Sequence, residues 1–204
     1  MRVSEEKQYE LDKNSMEVIN IKCHDLKHQL IAIRGLAGDE QEKAILEAEN
    51  AVTMYDSIIK TGCKPLDVLL RAKYLLCEKY EIAFTYMVDG DRLGFMSAAD
   101  IYSLFGNALD NAIQASQKVA DVQRRYINLS VTVHQMVLFI SIENVTEEQP
   151  LFGLDGLPET TKQDVVNHGY GMKSIRRTVE SYGGVMQAGC AGGVFSLSIT
   201  IPLP

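Results

Sequence analysis

The chain lacks several things, and each gap closes a class of function. It has no run of about 18 apolar residues, so nothing in it is expected to span a membrane, and no secretory leader is visible. Its four cysteines, Cys23, Cys63, Cys77 and Cys190, include no CxxC pair and no tight cluster. That argues against structural zinc and suits reduced core thiols in a cytosolic setting. No GxxxxGK[ST] stretch occurs, which excludes a P-loop. Positive charge is in deficit, with 20 Lys and Arg against 27 Asp and Glu and a net charge of −7, so a nucleic-acid partner is not expected. Internal repeats and low-complexity tracts are absent as well.

What is present suits one or two domains, because 204 residues with 46 % apolar and 23 % charged content are ordinary for a soluble globular protein. Over 5–37 there is no proline, and no glycine before Gly35. Ile19, Cys23, Leu26, Leu30, Ile33 and Ala37 recur at steps of three and four, the seam of helices that pair. Gly35 and Gly38 end or kink that helix. A second helix fits 40–60, with Ile45, Ala48, Val52, Tyr55 and Ile59 on one face. The two make a hairpin whose apolar stripe needs a partner, and a second copy of the chain is the simplest one. The polar opening, 1–14, is what a piece of a longer, membrane-anchored protein would show.

The remainder reads as helix 65–80, strand 82–88, helix 98–119 capped by Ser97, strands 126–134 and 136–144, helix 169–182 stopped by Gly183 and Gly184, and strands 185–188 and 194–201. Residues 145–167 break every pattern, and a structureless loop of about 20 residues inside a compact domain is often a lid. Adjacent strands with separate helices favour an α+β sandwich over a doubly wound sheet.

Three segments are able to carry chemistry. Asn107 and Asn111 stand four apart, so on a helix they share a face, with Asp110 beside them and Ala108, Ala112 and Ala115 keeping the helix slim. A matched pair of carboxamides suggests an ordered target such as hydrated Mg2+ or a nucleotide phosphate. His24 and Asp25 lie one step off the apolar seam. An exposed imidazole beside a carboxylate is placed to be a nucleophile, because the acid holds one ring nitrogen protonated and leaves the other its lone pair. The rival there is zinc bound by His24 and His28 at i, i+4, with His134 or His168 as a third ligand; Asp25 is one methylene shorter than the Glu of HExxH. Last, Gly169-Tyr170-Gly171 opens a helix directly after the lid, where backbone N–H groups and the helix dipole favour an anion, and Lys173 adds a cation.

Taken in order, these segments resemble a sensor histidine kinase, and more narrowly the peptide-sensing (quorum-sensing) type of Gram-positive bacteria, whose phosphoacceptor segment also reads His-Asp. The resemblance implies a dimerisation hairpin over 1–62, followed over 63–204 by a Bergerat-type (GHKL) ATP-binding α/β sandwich. It makes His24 the phosphorylated residue and Asp25 its neighbouring acid. Asn107 and Asn111 match the N-box that holds Mg2+ against ATP, with Asp110 in the same box. Gly169 and Gly171 match the G-box, with Lys173 following. The implied partners are a second copy through the N-terminal helices and the receiver domain of a response regulator. The implied place is the cytoplasmic side of a bacterial membrane, reached through a sensor segment that this chain does not carry. Two departures stand out. The Asp-x-Gly-x-Gly box is replaced by Ile142-Glu143-Asn144-Val145, so Asn144 takes the place of the adenine-reading acid without its charge, and weak nucleotide affinity is expected. His28 stands where an Asn often follows the phosphoacceptor. The alternatives are a GHKL-type ATPase, which needs a Glu at the position of Asn107, and a non-catalytic dimeric scaffold with a degenerate nucleotide site.

Overall fold

The computed structural model of the chain describes residues 59–158 and 169–204. Helix α1 (Lys64–Lys79) leads into strand β1 (Ala83–Val88) and a short 3-10 turn (Gly90–Leu93). A long helix follows in three consecutive pieces: α2 (Ala98–Ile101), a π-helical turn (Tyr102–Gly106) and α3 (Asn107–Gln117). After a second 3-10 turn (Val122–Arg124) come β2 (Tyr126–His134), β3 (Val137–Val145), helix α4 (Gly169–Ser181), β4 (Val185–Ala191) and β5 (Val194–Pro202). Every element expected beyond residue 63 is present, with ends moved by one to three residues. Within 145–158 the segment does hold some order: Phe152 bridges to Pro158, and a turn is closed by Gly156 N–H to Gly153 C=O at 2.9 Å.

The five strands form one mixed sheet in the order β1-β2-β3-β5-β4. Only β1 and β2 run parallel, with Tyr86 level with Leu129; the other neighbours are antiparallel. Strand alternation sends Ile127, Leu129 and Val131 of β2, Leu138, Ile140 and Ile142 of β3, and Leu197, Ile199 and Ile201 of β5 to one side. All nine are buried. They meet the apolar faces of the helices: Leu66 and Leu70 of α1, Leu109 and Ile113 of α3, and Ile175 and Val179 of α4, all buried too. The opposite face carries Asn128, Ser130, Ser141, Ser196 and Ser198 and stays open to solvent. The result is a two-layer α/β sandwich, the α+β arrangement expected.

Local chemistry explains the element ends. Pro65 sits in the first turn of α1, where no N–H is needed. Asp67, two residues on, accepts from the Thr61 backbone at 2.8 Å and its hydroxyl at 2.7 Å. Ser97 caps α2 by accepting from Asp100 N–H at 3.1 Å. Helix α4 stops because Gly183 takes φ 68°, which costs glycine little. At Gly184 any Cβ would lie 2.6 Å from the Thr200 carbonyl oxygen, so the chain can turn that close to β5 only without a side chain.

Residues 61–204 form one compact unit. The hairpin expected over 1–62 lies, up to residue 58, outside the described residues, as do His24 and Asp25, the expected phosphoacceptor pair, and the imidazoles His28 and His168.

Candidate functional site

The site begins at the π turn. In an α-helix, Asn107 N–H would bond Ser103 C=O, four residues back. Here it turns to Leu104 C=O, which lets the side chain take the vacated acceptor: Asn107 Nδ2 donates to Ser103 C=O at 2.6 Å. The assignment of the amide's two ends follows from that bond, since only the NH2 group donates. With the nitrogen tied to its own helix, Oδ1 of Asn107 is turned outward as an acceptor. π turns recur at functional sites for this kind of reason: the surplus residue re-aims a side chain.

Helix α4 lies across from this face. A Cβ placed on Gly171 would meet Asn107 Oδ1 at 3.6 Å and both Asn111 amide atoms at 3.7 Å. Both carboxamides therefore converge on the one point that Gly171 leaves bare. A methyl group would fit there without clash, but it would fill the gap. The two helices run antiparallel, held together by hydroxyls. Ser103 and Ser174 hydroxyls are 3.0 Å apart, and Thr178 donates to Ser103 at 3.4 Å. Two turns further along, Tyr182 donates its phenol hydrogen to Asp100 at 2.7 Å, Ser97 N–H donates to the Tyr182 oxygen at 3.1 Å, and Phe95 stacks edge-on against the Tyr182 ring at 5.6 Å. The Ser97 hydroxyl and the Tyr182 phenol, in that order, hold the Asp100 carboxyl below its usual range. This seam fixes how far α4, and so Gly171, stands from the carboxamides.

Asp110 is engaged from the other side. Lys73 of α1, only 5 % exposed, bonds it at 2.7 Å. Lys73 was invisible as a site residue in the sequence, because nothing local links positions 37 apart. Its neighbour one turn on, Cys77, is fully buried, and burial pushes its thiol up to about 12 against the opposing pull of Lys73. Cys63 is buried too, whereas Cys190 is half-exposed, so the expectation of core thiols holds for two of the three described.

Asn144 lies at the end of β3 on the helix-facing side, 1 % exposed, and its Nδ2 donates to the Val145 carbonyl at 2.9 Å. Gly169 is the first residue of α4, as expected, and Lys173 is exposed one turn on. The described part of the segment expected as a lid is held at two points: Thr146 N–H bonds Gly193 C=O at 2.8 Å, and Arg176 of α4 donates to Asp155 C=O at 2.8 Å. A shallow hollow of about 320 Å³ lined by Thr85, Met87, Asn128, Ser130, Ser141 and Glu143 opens on the bare face of the sheet. The sheet separates it from Asn107 and Asn111, so it is no part of this site.

The donor set suits a hard cation. It offers neutral amide oxygens, one of them freed by its own helix, the kind of oxygen ligand that Mg2+ accepts. Among the described residues no cluster of three His, Cys, Asp or Glu side chains offers a competing metal site.

The sequence pattern of the GHKL domain matches residues 96–202, more than half the chain, and the protein belongs to that family. No curated protein sequence matches it. Among solved structures, the nucleotide-free catalytic domain of histidine kinase ThkA is similar at 21 % identity and TM-score 0.51, over 68 % of this chain and 95 % of that one. Two longer kinases align at lower TM-scores. The Acinetobacter baumannii histidine kinase AdeS has 12 % identity, 91 % and 96 % coverage and TM-score 0.47. The histidine kinase domain of the Erythrobacter litoralis blue-light activated kinase EL346 has 18 % identity, 96 % and 93 % coverage and TM-score 0.46. The likeness to the ThkA catalytic domain is one of fold. Among the described residues no helix is long and apolar enough to cross a membrane.

Proposed function

We propose that this chain is the kinase region of a two-component sensor, which phosphorylates its own His24 from ATP and passes the phosphoryl group to an aspartate of a response regulator. The observation that carries the reading is the convergence of Asn107, Asn111 and Gly171 on one point. Asn107 and Asn111 hold Mg2+ through their amide oxygens. The first turn of α4, from Gly169 through Gly171, presents backbone N–H groups to the phosphates, and Lys173 adds positive charge. Mg2+ held there would supply neutralisation of the charge on the nucleotide phosphates. Asn144 accepts from the adenine amino group with a neutral oxygen, so ATP binds more weakly than micromolar. Asp110 borders the metal site and is tied to Lys73.

A ring nitrogen of His24 attacks the γ-phosphorus while the bond to the bridging oxygen breaks and ADP departs; Asp25 holds the hydrogen on the other nitrogen. The chain acts as a homodimer through the N-terminal helices, in the manner of the peptide-sensing kinases, and belongs to a membrane-anchored receptor. The His-Asp pair and the Asn144 substitution support that narrower assignment.

Incubation of the full chain with γ-labelled ATP and Mg2+ should yield an acid-labile phosphoprotein, lost in His24→Gln. Acid-stable label, or label persisting in the variant, would refute the reading. Absence of any effect of Asn111→Ala on nucleotide binding would instead point to the non-catalytic scaffold.

A further inference from the structure

Lys73 is the one charged side chain among the fully buried residues of the described part, and the proposed chemistry gives it no task. Among the described residues its hydrogen-bond and ion-pair partner is Asp110. Around the helix axis Asp110 is offset by about 60° from Asn107 and about 100° from Asn111. It therefore flanks the pair of carboxamides on the side away from Asn111. A carboxylate is a harder and stronger ligand for Mg2+ than a carboxamide. Left unpaired on that flank, it would draw the metal off the two amides and set a negative charge beside a triphosphate.

We propose that Lys73 is a positioning residue of the nucleotide site: its buried ammonium holds Asp110 off the metal and cancels its charge. The inference rests on the proposed function. Its geometric basis is the 2.7 Å contact to Oδ1 from a different helix, which pins the carboxylate toward α1. Carrying an ammonium into a site with 5 % exposure is costly, and an apolar pair of equal volume would hold two helices together as well. Stability alone therefore does not call for this pair. A neighbouring anion does.

The test is calorimetric titration of the full chain with Mg2+ and a non-hydrolysable β,γ-imido ATP analogue, with denaturant unfolding of the ligand-free protein alongside. Lys73→Met should weaken analogue binding at least tenfold. The double variant Lys73→Met/Asp110→Asn should bind at least threefold more tightly than Lys73→Met, and Asp110→Asn alone should lose less than tenfold. A pair that served stability alone would lower the unfolding midpoint of Lys73→Met and restore it in the double variant, with affinity unchanged throughout; that result overturns the proposal. So does a tenfold loss in Asp110→Asn, which would make Asp110 itself a ligand of the metal. Should Lys73→Met fail to fold, the double variant decides, since it strands neither charge: a tenfold loss of analogue binding in it overturns the proposal. Wild-type protein that takes up no analogue would refute the proposed function and this inference with it, whereas normal wild-type binding with an indifferent Lys73→Met refutes this inference alone.

Discussion

The helix that carries Asn107 and Asn111 has a helical neighbour on either side, and it holds them by opposite means. Toward α1 there is one contact of full charges, Lys73 to Asp110, nearly closed to water. Toward α4 there is a row of neutral hydroxyls, Ser103, Ser174 and Thr178, ending in the half-exposed Asp100 and Tyr182. The first kind of contact has one deep setting and fails badly when a partner is lost. The second is a sum of modest bonds that can adjust singly. α1 therefore acts as the fixed wall of the site. α4 sits on the side where small displacements cost least.

The comparison can be broken at four points. The largest effect belongs to Lys73→Met, which should lower unfolding free energy by about 3 kcal/mol by stranding a carboxylate, and Asp110→Asn in the same chain should return most of it. Denaturant melts of the four members of that cycle measure the coupling. On the other side, Ser103→Ala removes two hydroxyl bonds and should cost about 1.5 kcal/mol. If it costs as much as Lys73→Met, the contrast between wall and seam is lost.

Gly171→Ala separates fold from function. Alanine stabilises a helix over glycine by about 0.5–1 kcal/mol, and the added methyl meets the carboxamides at ordinary contact distance. The variant should melt at or above the wild-type temperature and yet bind Mg2+ with nucleotide poorly. The smallest effect is at Asp100. Its carboxyl titrates lower in the folded protein than in the unfolded chain, so the folded state binds fewer protons there. The stabilisation is whole above about pH 4 and fades as pH falls through the folded value. Asp100→Asn should flatten the acid limb of the stability curve slightly, with its small loss present at neutral pH and vanishing as pH falls below the folded value.

Much of this was legible in the residues. Periodicity placed α1, the 98–117 helix, α4 and all five strands, because each buries one face and shows it as spacing. The Asn107–Asn111 pair was visible for the same reason, since four residues make one helical turn. The parallel pairing of β1 with β2 was hidden, because strand order depends on how a whole layer closes. The π turn was hidden too: Tyr102, Ser103 and Phe105 do not announce a wide turn. Lys73 could not be found, since an ion pair between α1 and α3 has no local signature. Asn144 was legible as a strand residue, but its near-complete burial and its bond to Val145 come from packing.

The wide turn at Tyr102–Gly106 has a further consequence for how this protein can change. It inserts one position more than an ordinary spiral would, so the stretch before it and the stretch after it are out of phase by about 100°. Removing one residue there would leave an unbroken rod, yet Ser97 and Asp100 could then reach Tyr182 only if Asn107 and Asn111 swung away from Gly171. Single-residue deletions in this segment should therefore be far less tolerated than point substitutions, although a helix would survive either one.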